Sequence, residues 1–168
     1  FVAGYSSPNF IDKTTNGGQT WLALSAPDIG AYCLTFVNDS IGFNAGLNLV
    51  IKKTTDGGNT WNQKIIKDSF LNVWSISENR AFALGDVVYK TTDGGETWNA
   101  ALPYEPVNIG FESVFFTDSL TGFVGTNNNV KIYKTTDAGE TWISKTITGV
   151  TNFYEPIYDI YFISKLNG

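Results

Sequence analysis

Short apolar runs rich in Val, Ile, Phe, Tyr and Thr recur along the chain, broken by Gly, Asn and Asp. Runs of this kind between turn residues predict strands, and with aromatics at 15% the composition is all-β. Aligned on one another, the runs fall into a unit. Leu34 to Gly42 precedes Phe43-Asn44-Ala45-Gly46, Val73 to Ala81 precedes Phe82-Ala83-Leu84-Gly85, and Val114 to Gly122 precedes Phe123-Val124-Gly125. Each unit thus has a strand, a tight turn, a short strand from Phe to Gly, a third strand, a Gly-rich turn and a fourth strand.

The Gly-rich turn is the most regular stretch. It reads Thr14-Thr15-Asn16-Gly17-Gly18-Gln19-Thr20-Trp21, Thr54-Thr55-Asp56-Gly57-Gly58-Asn59-Thr60-Trp61, Thr91-Thr92-Asp93-Gly94-Gly95-Glu96-Thr97-Trp98 and Thr135-Thr136-Asp137-Ala138-Gly139-Glu140-Thr141-Trp142. Its tryptophans stand 40, 37 and 44 residues apart. Four antiparallel strands repeating at that period predict a β-propeller blade. Asp before Gly-Gly is hairpin chemistry: the carboxylate accepts backbone N–H groups and glycine takes φ > 0 freely. The Trp that follows is large enough to fill a gap between sheets. Asn16 keeps the acceptor without the charge, and Ala138 in place of Gly implies φ < 0 there. A calcium loop needs several oxygen ligands where each box has one carboxylate, so the boxes are expected to be structural turns.

The repeats run approximately 1–30, 31–70, 71–110 and 111–156, one domain in all. Phe1-Val2-Ala3-Gly4 matches the second strand of a blade lacking its first, and Ile160 to Gly168 aligns with the first strand Val114 to Gly122, so 157–168 reads as the first strand of blade one. Pairing those ends removes two open sheet edges and favours a four-bladed ring, the C-terminal strand completing blade one. Four consecutive blades of a larger propeller would leave the same ends.

The pattern Ser/Thr-x-Asp-x-Gly-x-Thr-Trp resembles the Asp-box of sialidase-type (BNR) propeller repeats. The wording of whole repeats, as in Val114 to Gly125 followed by Ile132-Tyr133-Lys134 and the box, is similar to photosystem II stability/assembly-factor-like propellers, over nearly all 168 residues. Many relatives of that group are secreted or surface proteins of non-photosynthetic bacteria. The resemblance implies a non-catalytic scaffold or interaction module, with the boxes on outer turns away from the ligand face. It also implies a basic, arginine-containing surface, whereas this chain has Arg80 alone and a net charge of −5.

That charge balance leaves no basic patch for nucleic acid. No apolar run reaches the ~18 residues of a membrane span, and the chain opens on Phe1 inside a strand-like run, as a mature or trimmed chain does. The one cysteine, Cys33, sits in an apolar run and is expected to be a buried, inert thiol.

A sialidase grips its substrate's carboxylate with three arginines, and none can be assembled from one. Without histidine there is no Ser-His-Asp or Cys-His system and no His metal site. A paired-carboxylate glycosidase needs only two acids, of which Glu105 and Glu155 are the best placed, but nothing nearby tunes them. The expectation is no enzyme, no cofactor and no metal.

Loops between blades and between second and third strands share one rim. Tyr5, Phe10, Tyr104, Glu105, Asn128, Tyr154 and Glu155 are its candidate ligand residues, with packing of the aromatics on the next blade as the alternative. The expected partner is a protein or a surface glycan, and the carbohydrate alternative makes the chain a binding module or a non-catalytic part of a secreted glycosidase. The sequon Asn38-Asp39-Ser40 and the pairs Asp39-Ser40 and Asp118-Ser119 fit an extracellular, cell-surface or periplasmic setting.

Overall fold

A computed structural model of the chain describes residues 1–4, 10–24, 31–47, 49–102, 110–128, 130–149 and 155–163. They form four antiparallel sheets and no helix, hence none long and apolar enough to cross a membrane. Sheet one holds β1 (Val2–Gly4), β2 (Phe10–Lys13) and β3 (Leu22–Leu24). Sheet two holds β4 (Ala31–Phe36), β5 (Gly42–Gly46), β6 (Val50–Thr54) and β7 (Asn62–Ile65). Sheet three runs β8 (Asn72–Ser75), β9 (Ala81–Leu84), β10 (Val88–Thr91) and β11 (Asn99–Leu102). The fourth runs β12 (Phe111–Phe116), β13 (Gly122–Thr126), β14 (Lys131–Thr135) and β15 (Ile143–Thr146). Each sheet is a meander whose strands pair in chain order, the construction of a propeller blade.

Burial explains the residue pattern across a blade. Second strands β5 and β9 are buried along their whole length, because a neighbouring blade covers each face. Outer strands β7 and β15 are exposed throughout, and read Asn-Gln-Lys-Ile and Ile-Ser-Lys-Thr. The core therefore lies in the seams. Phe43, Phe70 and Val73 pack between blades two and three, and Phe82, Phe111, Val114 and Phe116 between blades three and four. Blade packing follows chain order: β1 against β4, β4 and β5 against β8, β8 and β9 against β12.

The expected closure of a four-bladed ring is where the structure differs. Among the described residues β1 pairs with β2 alone, and residues 155–163 form no strand. The Ile157 amide instead donates to Thr126 O of blade four at 2.9 Å, and Ile157 O accepts from Ser113 Oγ at 2.6 Å. The same joint bond carries the chain from blade to blade earlier: Phe70 N to Gly46 O at 3.0 Å, and Phe111 N to Gly85 O at 2.8 Å. Residues 155–163 thus start the inner position of a following blade and do not reach β1. The described residues are an arc of four blades, the second of the two expected arrangements.

Candidate functional site: box turns at one end, a loop rim at the other

Antiparallel order places the first-to-second turns and the boxes at one end of each blade, and the second-to-third turns and blade joints at the other. Hydrogen bonds confirm both ends. Gly57 N meets Ser40 O, Gly94 N meets Asn79 O and Ala138 N meets Leu120 O at the box end. Ile66 N meets Leu49 O and Ile147 N meets Val130 O at the rim.

Each box is a closed hydrogen-bond cage. Thr54 Oγ1 accepts from Gly58 N (2.8 Å) and donates to Asp56 Oδ1 (2.8 Å). Asp56 Oδ1 accepts from Thr60 N (2.9 Å), and Oδ2 from the Thr60 hydroxyl (2.6 Å). Asp93 and Asp137 repeat the arrangement with Thr97 and Thr141. Asn16 reproduces it without charge, its amide donating to Thr20 Oγ1 at 2.8 Å. Ala138 corrects an expectation: it stands at φ 59°, beside φ 70° and 72° at Gly57 and Gly94. Its amide bond to Leu120 O matches those of Gly57 and Gly94, and Gly17 takes the same φ, 68°, so the box's own turn sets the left-handed conformation whatever the side chain.

The hydroxyl of the facing threonine is the leading cause that holds the box carboxylates below their ordinary 3.8: Asp56 and Asp93 fall to about 2 and Asp137 lower still. A depressed carboxylate contributes stability above its unfolded value and loses it as pH falls through the folded value. The chain should therefore lose stability between pH 3.8 and about 2. Replacing Asp56, Asp93 and Asp137 with Asn, as at Asn16, should keep the fold and flatten that acid limb. Urea midpoints across this pH range check it; an unchanged slope would refute the assignment.

The box tryptophans of blades three and four sit in the seams. Phe43 packs edge-on against Trp98 and Phe82 against Trp142, with ring centroids 6.1 Å apart in both. A column of lysines before the boxes joins them: three lie over a phenylalanine of their own blade and the fourth reaches the next blade. Lys13, Lys53 and Lys134 stand over the rings of Phe1, Phe43 and Phe123. Lys90 reaches Glu140 at 2.7 Å and takes Gly139 O at 3.3 Å. The matching carbonyl, Gly58 O, accepts from Trp61 Nε1, whereas Trp142 Nε1 is buried without a partner. Trp61, Trp98 and Trp142 are half-buried; Trp21, in the first of the described blades, is 47% exposed.

At the rim, Tyr5, Tyr104, Glu105 and Tyr154 lie outside the described residues. Phe10 opens β2 and is 40% exposed; Glu155 is exposed beyond the last blade, and the order of blades keeps the two apart. Asn128 is half-buried, and its carbonyl accepts from Thr126 Oγ1 at 2.6 Å. Its neighbour Asn127 holds the joint, accepting from Gly110 N at 2.8 Å through Oδ1. Asp68 does the same one blade earlier, accepting from Ser69 N (2.8 Å) and Val87 N (3.3 Å). Burial, then the Asp86 charge, raises the Asp68 carboxyl above its ordinary value. Among the described residues of the rim, Leu49 at 61°, Lys67 at 62° and Val130 at 47° have positive φ without being glycine. For β-branched Val130 this is real strain, held because its carbonyl is aimed at the joint amide of Ile147. Cys33, away from the rim, turns its thiol inward onto Ala45 O, and burial pushes it up to about 12, far from thiolate reactivity.

What this geometry offers is a stiff row of blades carrying apolar and acidic loop residues at one end. The comparisons agree with it. Residues 20–157 match the family described as photosynthesis system II assembly factor YCF48. The structure described as "YCF48 bound to D1 peptide" is similar at 25% identity with a TM-score of 0.57, over 70% of this chain and 41% of that one. YCF48 from Cyanidioschyzon merolae is similar at 25% identity and a TM-score of 0.60, over 74% and 40%. The Niastella koreensis GH74 enzyme, at 21% identity and a TM-score of 0.59 over 79% and 24%, shares the fold. No curated protein matches the chain. The chain spans about two fifths of the YCF48 structures it matches. Blade architecture and a match over most of the sequence together show that this chain belongs to the YCF48 photosystem II assembly-factor family of BNR-type propellers.

Proposed function

We propose that the chain is a non-catalytic, protein-binding propeller segment whose loop rim takes an extended peptide. Family membership carries the reading, together with a relative solved with a D1 peptide bound. Exposed Leu47 and Leu49 beside joint bonds at Gly46 and Leu49, with exposed Phe10 at the start of β2, support this reading. Tyr5, Tyr104, Glu105, Tyr154 and Glu155 extend that surface in this reading. The setting is extracytoplasmic, supported by Ser40 and Ser119 on exposed turns and tested by the intact mass of secreted protein.

Anisotropy titration of a labelled D1 peptide tests the binding. Saturable binding is expected, weakened about tenfold, or ~1.4 kcal/mol, by Phe10→Ser combined with Leu49→Asn, since Asn accepts the φ of position 49. Absence of binding, or identical binding by the variant, would defeat the proposal. Binding on a glycan array without peptide binding would replace it with the carbohydrate alternative.

A further inference from the structure

We propose that the outer groove between blades two and three binds the carboxylate of an acidic sugar, a uronate, through Lys53 and Lys64. This site lies beside the third box, away from the loop rim, and is independent of the peptide-binding reading.

The groove holds about 120 Å³, walled by Phe43 and Lys53 of blade two and by Gly94, Gly95 and Trp98 of blade three. Strand register gathers its polar groups. Lys53 pairs with Asn62, and Ile51 with Lys64, across β6 and β7. The period of two in a strand therefore turns Lys53, Asn62 and Lys64 to one side. That side faces blade three: a Cβ on Gly94 would come within 2.8 Å of Lys53 Nζ, which lies over the Phe43 ring, 5.7 Å from its centroid.

Among the described blades, only this seam brings two cations together on such a face. Blade one has Leu22 and Leu24 where blade two has Asn62 and Lys64, and the groove after blade three is lined by Asn99 and Ala101. The acid is also used differently. Across the next seam Lys90 reaches Glu140 at 2.7 Å. Here Lys64 takes the matching acid, Glu96, at 2.9 Å, and Lys53 has no ion pair or hydrogen bond among the described residues. Two ammonium groups thus share one carboxylate, a local positive excess in a chain of net charge −5. Glu96 is 73% exposed, and an ion pair so open to water is weak. A ligand carboxylate can bond to Lys53 and share Lys64 without breaking a buried contact.

The remaining lining selects the kind of acid. Thr55 and Asn62 carry a hydroxyl and an amide with no partner among the described residues. Trp61 gives its indole N–H to Gly58 O at 3.0 Å, whereas Trp98 has no such bond there. Neutral donors and acceptors of this kind match the hydroxyls of a sugar ring, and an indole offers an apolar wall to its C–H face. An aliphatic acid would leave those groups to water.

Titration of labelled protein with D-glucuronate, followed at the Trp98 indole N–H peak, tests this. A saturable shift is expected with glucuronate and none with glucose. Lys53→Gln and Lys64→Gln should each weaken binding about tenfold, the loss of one charge-assisted hydrogen bond. Lys145→Gln, on the exposed outer strand of blade four, should bind as wild type does. All three variants should keep the β-sheet circular dichroism spectrum. No shift with glucuronate, an equal shift with glucose, or wild-type binding by Lys53→Gln would overturn the proposal. So would propionate binding as tightly as glucuronate, because the sugar ring would then contribute nothing.

Discussion

Replacing Phe82 with Ala should destabilise the chain by about 4 kcal/mol, the largest single effect expected of any side-chain truncation here. Phe82 is fully buried and is shared by two blades. It lies in the second strand of blade three, stacks on Phe116 and meets the edge of Trp142 in blade four. Its removal leaves a cavity lined by those rings, which β-sheets on either side hold open. Blade seams also carry the coupling between neighbours in a repeat architecture, so the loss should reach both blades. Urea unfolding followed by tryptophan emission gives the value. A loss below about 1 kcal/mol would mean that the seam is not the core.

Gly139→Ala is expected to cost about 3 kcal/mol, for two separable reasons. A left-handed turn at φ 79° penalises any Cβ by about 1–2 kcal/mol. The new methyl would also lie 2.6 Å from ring carbons of Phe82, and overpacking of this kind adds about 1–3 kcal/mol. Gly17→Ala separates the two effects. It has φ 68° and no neighbour within 4 Å of the place a methyl would take, so only the backbone penalty of about 1 kcal/mol applies. Equal losses in the two variants would show that blade three does not press on the fourth box.

The boxes were legible because their chemistry is local. Thr, Asp, Gly and Thr within seven positions close their own hydrogen bonds, and Asn16 shows that the geometry survives loss of charge. The strand order was legible for the same reason, since each strand pairs with its neighbour in sequence. Ala138 follows the hydrogen-bonded box around it against its intrinsic preference, at φ 59°. Lys90 and Asp68 gave no local signal, because their partners are a blade or a loop away. Closure was ambiguous because a ring and an arc share the same strand pattern; Ile157 bonding to Thr126 decides for the arc. Of the rim, Phe10, Asn128 and Glu155 can be placed, and Asn127 proves to be the residue that fastens the joint.

The central claim is that successive blades meet through a phenylalanine on one and a box tryptophan on the next. Aromatic NOE spectroscopy tests it without mutation, because edge-on rings with centroids 6.1 Å apart bring protons into range. Cross-peaks between Phe43 and Trp98 and between Phe82 and Trp142 are the expected result. A well-dispersed spectrum lacking both, with the indoles giving peaks only within their own sheet, would contradict the account.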